Sequence, residues 1–220
     1  MIGQEPGRKL RADAARNRKQ LLDTAAVALA EKGLDVPIAY IARQAGLGKG
    51  TVFRRFPTKE GLILAVVLDR LGALIAYGEE LGDEPDPEAA LHRFLSAGVQ
   101  LVAENRGVCE AAFGSLGAGS GLPAVYNRIV EIMRDLVTSA QAAGVVRKDV
   151  TAEDLVLIQR GIAQMAAPLR QSDPRLWMRY FDLLWDSLRP EAARPLYGEA
   201  PVFPWGPTPE LAAGVPADVD

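Results

Sequence analysis

Cysteine and histidine are nearly absent: Cys109 and His92 are the only examples in 220 residues. A lone cysteine closes no intrachain disulfide, and one cysteine with one histidine cannot furnish the four ligands of a structural zinc. The sequence therefore calls for no metal and no cofactor, and it suits a reducing compartment. Strand-type alternation persists nowhere, which argues against a sheet. The positive charges of MIGQEPGRKLRADAARNRKQ are not followed by the apolar segment that a secretory leader requires. The most apolar window, GLILAVVLDRLGALIAYG (61–78), is broken by Asp69 and Arg70, and each charge would cost about 3 kcal/mol at a bilayer centre. A buried helix is expected there, with no membrane span, in a cytoplasmic protein.

What is present is apolar residue in quantity, 49% of the chain, enough for one small module and one larger packed core. Charge is divided unequally between them. Residues 1–60 hold twelve Lys/Arg against six Asp/Glu, a net +6, while residues 61–220 hold thirteen against twenty-two, a net −9, which together give the chain its −3. A basic head on an acidic body points to a polyanionic partner at one end only.

The head has the periodicity of short helices. Leu21, Leu22, Ala25, Ala26 and Leu29 form one apolar stripe on a helix from Asp13 to Lys32, which Gly33 ends. Pro37 is expected to open a second helix as its first residue, with Ile38, Ile41, Ala42 and Ala45 on one face and Gly46 as its stop. Leu47 and Gly48 make a tight corner. A third helix, about Lys49 to Phe56, is closed by Pro57, and Thr58 caps a long fourth one. Two short helices joined by a glycine-containing turn have the form of a helix-turn-helix, residues 37–56, whose second helix enters the DNA major groove. On that helix Val52 and Phe56 fall together and pack inward. Gly50, Thr51, Arg54 and Arg55 point elsewhere, flanked by Lys49 and Phe53. Arginine can contact guanine O6 and N7 in bidentate fashion, and a threonine methyl can meet a thymine methyl.

GLGKGT also invites comparison with the phosphate-binding loop G-x-x-x-x-G-K-[ST], and fails it. Arg43 stands where the first glycine belongs, Gly50 where the Ser/Thr belongs, and the preceding IAYIARQA has a helical period.

The stretch IAYIARQAGLGKGTVFRRFPTKEGL resembles the DNA-binding signature of TetR-type (TetR/AcrR) bacterial transcriptional regulators, with its I-A-x-x-A-G corner and its F-x-x-K step into the fourth helix. The resemblance covers roughly residues 16–65. It implies an all-α protein with a three-helix DNA-binding domain (13–60) after a flexible basic arm (1–12), and a helical ligand-binding and dimerisation domain (61–189). It also implies DNA contacts by Lys49, Gly50, Thr51, Phe53, Arg54, Arg55 and Lys59. Phe53 stands where the family usually carries a tyrosine hydroxyl. Pro37 and Gly48 replace hydroxyl residues, so affinity is expected to lean on cations. The implied role is that of a repressor released from a near-palindromic DNA operator by a small molecule.

Beyond residue 61 the pattern is helical with short breaks, and Thr151 with Asp154 forms a capping box. The last two helices are apolar around most of their circumference. Ile158, Ile162, Trp177, Phe181, Leu184 and Trp185 are expected at the interface of a homodimer, the assembly the resemblance also implies. By the same resemblance the middle helices enclose an effector pocket, for which His92, Phe94, Cys109, Phe113, Tyr126, Met133, Gln164 and Met165 are candidate lining residues. The tail, 190–220, is rich in Pro, Gly and Ala and is expected to be mostly disordered, with Tyr197, Phe203 or Trp205 available for docking. The competing class is a helical small-molecule-binding protein or enzyme with an incidental basic head. It lacks visible support, since no paired carboxylates, activated nucleophile or metal cluster can be read from the sequence.

Overall fold

A computed structural model of the protein describes residues 5–105, 120–166, 169 and 172–200, with side chains from Asp13 onward except that of Ala192. Among the described residues there are eight α-helices, 3-10 geometry at Ser120, Leu169 and Pro190–Ala192, and no strand. The helices are α1 (Glu5–Lys32), α2 (Ile38–Gln44), α3 (Lys49–Arg55), α4 (Lys59–Leu81), α5 (Pro87–Glu104), α6 (Leu122–Ala142), α7 (Ala152–Ala166) and α8 (Leu176–Ser187). The short apolar piece expected near 108–116 lies outside the described residues.

Helix α1 begins at Glu5, so residues 5–12, expected as an arm, continue the helix instead. The run RKLRADAARNRK contains strong helix formers and no breaker after Gly7, which accounts for the extension. Gly33, at φ 76°, ends α1 with its amide donating to the Leu29 carbonyl. Gly46, at φ 65°, does the same for α2, and the Leu47 amide reaches back to the Ala42 carbonyl at 2.9 Å. Pro37 is the extended residue just before α2, one position earlier than expected. Its carbonyl still starts the helix by accepting from the Tyr40 and Ile41 amides.

The chain forms two compact units. Among the described residues the first comprises 5–71 with 104 and 105, and the second comprises 72–103 with residues from 120 onward. The division therefore falls inside α4, after Leu71, and not at residue 60. Thr58 Oγ1 caps α4 by accepting from the Gly61 amide at 3.1 Å, and the helix meets no proline before its end at Leu81. The first unit buries the α1 stripe, Ile38, Ile41, Ala42 and Ala45 of α2, Val52 and Phe56 at α3, and Leu62, Ile63, Val66 and Val67 of α4. Helix α4 is the one described helix long and apolar enough to cross a membrane. Its Asp69 and Arg70 face charged groups of α1, the setting of a core helix in a folded unit.

In the second unit Gly78 of α4 lies so close to α5 and α6 that a Cβ there would stand 2.5 Å from the Phe94 ring and 2.7 Å from Ile132. Asp86 caps α5 through the Glu88 and Ala89 amides. The expected box at α7 is complete: Asp154 Oδ2 accepts from the Thr151 amide at 2.9 Å, and Thr151 Oγ1 accepts from the Asp154 amide.

Candidate nucleic-acid interface

Helix α3 is held by two side chains and exposes the rest. Val52 and Phe56 are buried, while Lys49, Gly50, Thr51, Phe53, Arg54 and Arg55 are all exposed, and Lys59 at the start of α4 is half-exposed. With Val52 buried inside the seven-residue helix and Phe56 buried at its C-cap, the remaining helix positions face outward. The Lys49 ammonium sits 5.6 Å from the centre of the Phe53 ring, so Phe53 partly orders the cation beside it.

Ion pairing sorts the basic residues of this unit into two groups. Arg16 pairs with Asp13, Lys19 with Asp23 at 3.0 Å, and Arg70 with Asp23 at 2.9 Å. Arg18 lies 3.8 Å and Lys19 4.0 Å from Asp69. Among the described residues no carboxylate pairs with Lys49, Arg54, Arg55 or Lys59. Arg16, Arg18, Lys19 and Arg70 thus have carboxylates beside them, and Lys49, Arg54, Arg55 and Lys59 are available to an anion. Gly48, the residue before α3, caps it with its carbonyl alone, and no side chain caps α2 or α3.

The second unit treats the remaining predicted residues unequally. Phe94 and Met133 are fully interior, Phe94 against Gly78. His92 is half-buried and stands edge-on to Phe181 at 5.0 Å and to Trp185 at 4.7 Å, between α5 and α8. Tyr126 is half-buried. Gln164 and Met165 are exposed, because the buried stripe of α7 runs through Ala152, Leu155, Val156, Gln159, Ile162, Ala163 and Ala166 and passes them by. They therefore do not join Phe94 and Met133 in the interior. Cys109 and Phe113 lie outside the described residues.

One interior polar residue was missed. The Gln159 side chain is buried and its Nε2 donates to the Leu95 carbonyl of α5 at 2.9 Å. Gly98 makes room for it, since a Cβ there would come within 2.5 Å of Nε2. Its position in the α7 stripe, four after Leu155 and three before Ile162, was the available signal.

Of the expected interface residues, Ile162, Trp177, Phe181, Leu184 and Trp185 are buried within their own chain, and Ile158 is exposed. The outward apolar residues are Leu157, Ile158 and Met165 on α7 and Met178 and Leu183 on α8, with Leu169 between them. Leu157, Ile158, Gly161, Gln164 and Met165 share one face of α7 at 100° per residue.

Several charges elsewhere in this unit are paired. Arg128 bonds Glu79 and Glu131, which raise its pKa. Partial burial pushes the Glu153 carboxyl up, but the Arg134 guanidinium at 2.7 Å and its local amide bonds hold it below its usual range. Arg147 binds Asp149 at 2.6 Å and holds its pKa down to about 2. The same two residues receive the chain after α8: Arg147 Nη2 donates to the Arg194 carbonyl, and the Leu196 amide donates to Asp149 Oδ2 at 3.3 Å. The start of the tail is therefore docked, through backbone groups and not through Tyr197, which is fully exposed. Phe203 and Trp205 lie outside the described residues.

An all-helical chain whose short glycine-turned helix pair exposes unpaired arginine, lysine and threonine is a helix-turn-helix DNA-binding protein in form. Residues 21–66 match the family described as bacterial regulatory proteins, tetR family, and residues 86–190 match the transcriptional regulator SbtR-like C-terminal domain. A TetR transcriptional regulator from Streptomyces coelicolor is similar at 30% identity over 79% of this chain and 98% of that one, with a TM-score of 0.66. A TetR transcription regulatory protein from Mycobacterium vanbaalenii is similar at 34% identity over 82% and 99% of the two chains, with a TM-score of 0.62. The regulator FadR from Bacillus subtilis, solved in complex with stearoyl-CoA, shares the fold at 17% identity over 80% and 99%, with a TM-score of 0.60. The chain belongs to the TetR family of bacterial transcriptional regulators. It is a DNA-binding transcription factor and not an enzyme.

Proposed function

We propose that the protein is a cytoplasmic repressor that binds a near-palindromic operator as a homodimer and leaves it when a small molecule occupies the second unit. The observation that carries this reading is the exposed, unpaired basic face of α3. Lys49, Gly50, Thr51, Arg54 and Arg55 meet base edges and adjoining phosphates, Phe53 packs against the backbone, and Lys59 binds a phosphate at the capped start of α4. Phe53 lacks a hydroxyl, and Pro37 and Gly48 offer none, so the contacts that remain are mainly cationic.

The homodimer is supported by the outward apolar residues of α7 and α8, chiefly Ile158, Met165, Met178 and Leu183. Ile162, Trp177, Phe181, Leu184 and Trp185 support that face from beneath. Gly161, with open space around it, lets a partner helix approach α7 closely. Two recognition helices then reach half-sites about one helical turn apart. For the effector, His92, Phe94, Tyr126 and Met133 remain the candidate contacts, with Cys109 and Phe113 beside them in sequence terms only. Gln159 supplies a polar group to the same interior. The ligand class follows from an apolar interior with few polar groups: a largely apolar small molecule. FadR from Bacillus subtilis, with its bound stearoyl-CoA, lends support by fold alone.

Selection of bound duplexes from random DNA, followed by footprinting, tests the reading. The expected result is protection of two symmetric half-sites by a species that sediments as a dimer. Ile158→Glu should sediment as a folded monomer and lose the footprint. Absence of any protection at low salt, with Arg54→Ala and Arg55→Ala indifferent, would sink it.

A further inference from the structure

Helix α2 carries a second cationic group that neither the recognition helix nor the hydrophobic core explains. Its buried face is Ile38, Ile41, Ala42 and Ala45, so Tyr40 and Arg43, three apart, share the opposite face. The ammonium of Lys32, the last residue of α1, lies 5.3 Å from the centre of the Tyr40 ring, and the guanidinium of Arg43 lies 5.5 Å from it. Lys32 and Arg43 are exposed and Tyr40 is half-buried.

Two like charges drawn to one ring repel each other. Elsewhere in this unit close cations share a carboxylate, as Lys19 and Arg70 share Asp23. Here the nearest acids in sequence, Glu31 and Asp35, are exposed, and no described carboxylate pairs with either cation. Both charges are therefore open to an external anion. In a helix-turn-helix the first helix of the pair crosses the nucleic-acid backbone while the second enters the groove. The outer face of α2 is therefore the face that a phosphodiester meets.

We infer that Lys32, Tyr40 and Arg43 form a phosphate anchor for the DNA backbone, separate from the base-reading side chains of α3, with the Tyr40 ring positioning both cations and its hydroxyl donating to the phosphate. The anchor rests on the DNA-binding reading above and adds to it a division of labour. It contributes affinity that is blind to sequence, compensating for the hydroxyl contacts absent at Pro37, Gly48 and Phe53.

The test uses the full-length protein, a labelled duplex recovered by selection and a random-sequence duplex of equal length, each titrated over a range of salt. Lys32→Ala and Arg43→Ala are each expected to weaken both duplexes by the same factor. Each should also flatten the dependence of log affinity on log salt by about one unit per lost phosphate contact. Tyr40→Phe keeps the ring and removes the donor. It should weaken both duplexes equally and leave the salt slope alone, because a neutral donor releases no counterion. A salt slope unchanged in Lys32→Ala and Arg43→Ala, in variants that keep the parent melting temperature, would overturn the anchor. So would a fall in the preference for the selected duplex, which would make these residues base readers. Binding by the parent with Arg54-dependent selectivity alongside either result confines the failure to the anchor. No binding by the parent to either duplex removes the DNA reading and the anchor with it.

Discussion

Two sets of described cations in the first unit, Arg16, Arg18, Lys19 and Arg70 in one and Arg43, Lys49, Arg54, Arg55 and Lys59 in the other, are used differently. On α1 and α4, Arg16, Arg18, Lys19 and Arg70 face Asp13, Asp23 and Asp69. On α2, α3 and the start of α4, Arg43, Lys49, Arg54, Arg55 and Lys59 face no described carboxylate. The +6 of residues 1–60 is therefore a poor guide to where a polyanion binds. What matters is which charges the fold leaves without an internal partner, since a paired exposed cation gains little from a second anion and would have to give up the first.

The largest expected effect comes from removing unpaired charge. Arg54→Ala with Arg55→Ala should raise the dissociation constant for the selected duplex by about tenfold to a hundredfold per arginine, the worth of a bidentate base contact. Arg16→Ala with Lys19→Ala should stay within about twofold, and fluorescence anisotropy measures both. A comparable loss from the second pair would erase the contrast.

The converse change releases paired charge. Asp23→Asn with Asp69→Asn frees Arg18, Lys19 and Arg70 without adding a cation. If pairing is what silences them, affinity for random duplex rises a few-fold and the salt slope steepens by about one unit. An unchanged slope would mean that these residues face away from the DNA and that position, not pairing, decides.

The smallest effect is in the second unit, where the Arg147 and Asp149 pair shows what an ion pair does when it is structural. With the Asp149 pKa near 2, against an ordinary 3.8, the carboxylate favours the folded form above the ordinary value, and that contribution disappears as pH falls through about 2. Hydrogen exchange at the Leu196 amide should be protected at pH 5 and lose protection between about pH 4 and pH 2. Asp149→Asn should leave DNA binding unchanged and weaken that protection at pH 5, where the parent carboxylate is ionised. Equal protection in parent and variant would remove the docking role.

Much of the first unit is legible from sequence because its signals are local. Gly33, Gly46 and Thr58 act within four residues of themselves, and the α2 and α3 stripes span two turns. The pairing of Lys19 and Arg70 with Asp23 joins residues up to 47 positions apart and left no trace in the composition. The same limit applies to α7 and α8. An apolar circumference shows that both sides are buried somewhere, but not that Ile162 and Trp185 face their own chain while Ile158 and Met165 face outward. Gln159 was hidden because a glutamine in a stripe looks like an interruption until Gly98 is seen to leave space for it. The division between the compact units has no such local signal: it falls in the middle of a continuous helix, where no proline or loop marks it.

The docked start of the tail separates the presence of a segment from its spelling. Arg194 contributes a carbonyl and Leu196 an amide, atoms that nearly every amino acid possesses, while the identity-bearing groups, Arg147 and Asp149, sit some 47 positions earlier. Residues 190–200 can thus diverge with little penalty apart from two positions: a proline at 196 would delete the donor, and Gly198, at φ 75°, holds a backbone conformation that other residues adopt only with strain. A saturation scan should show a silent stretch whose deletion is nonetheless felt, with the constraint written in the α6–α7 turn.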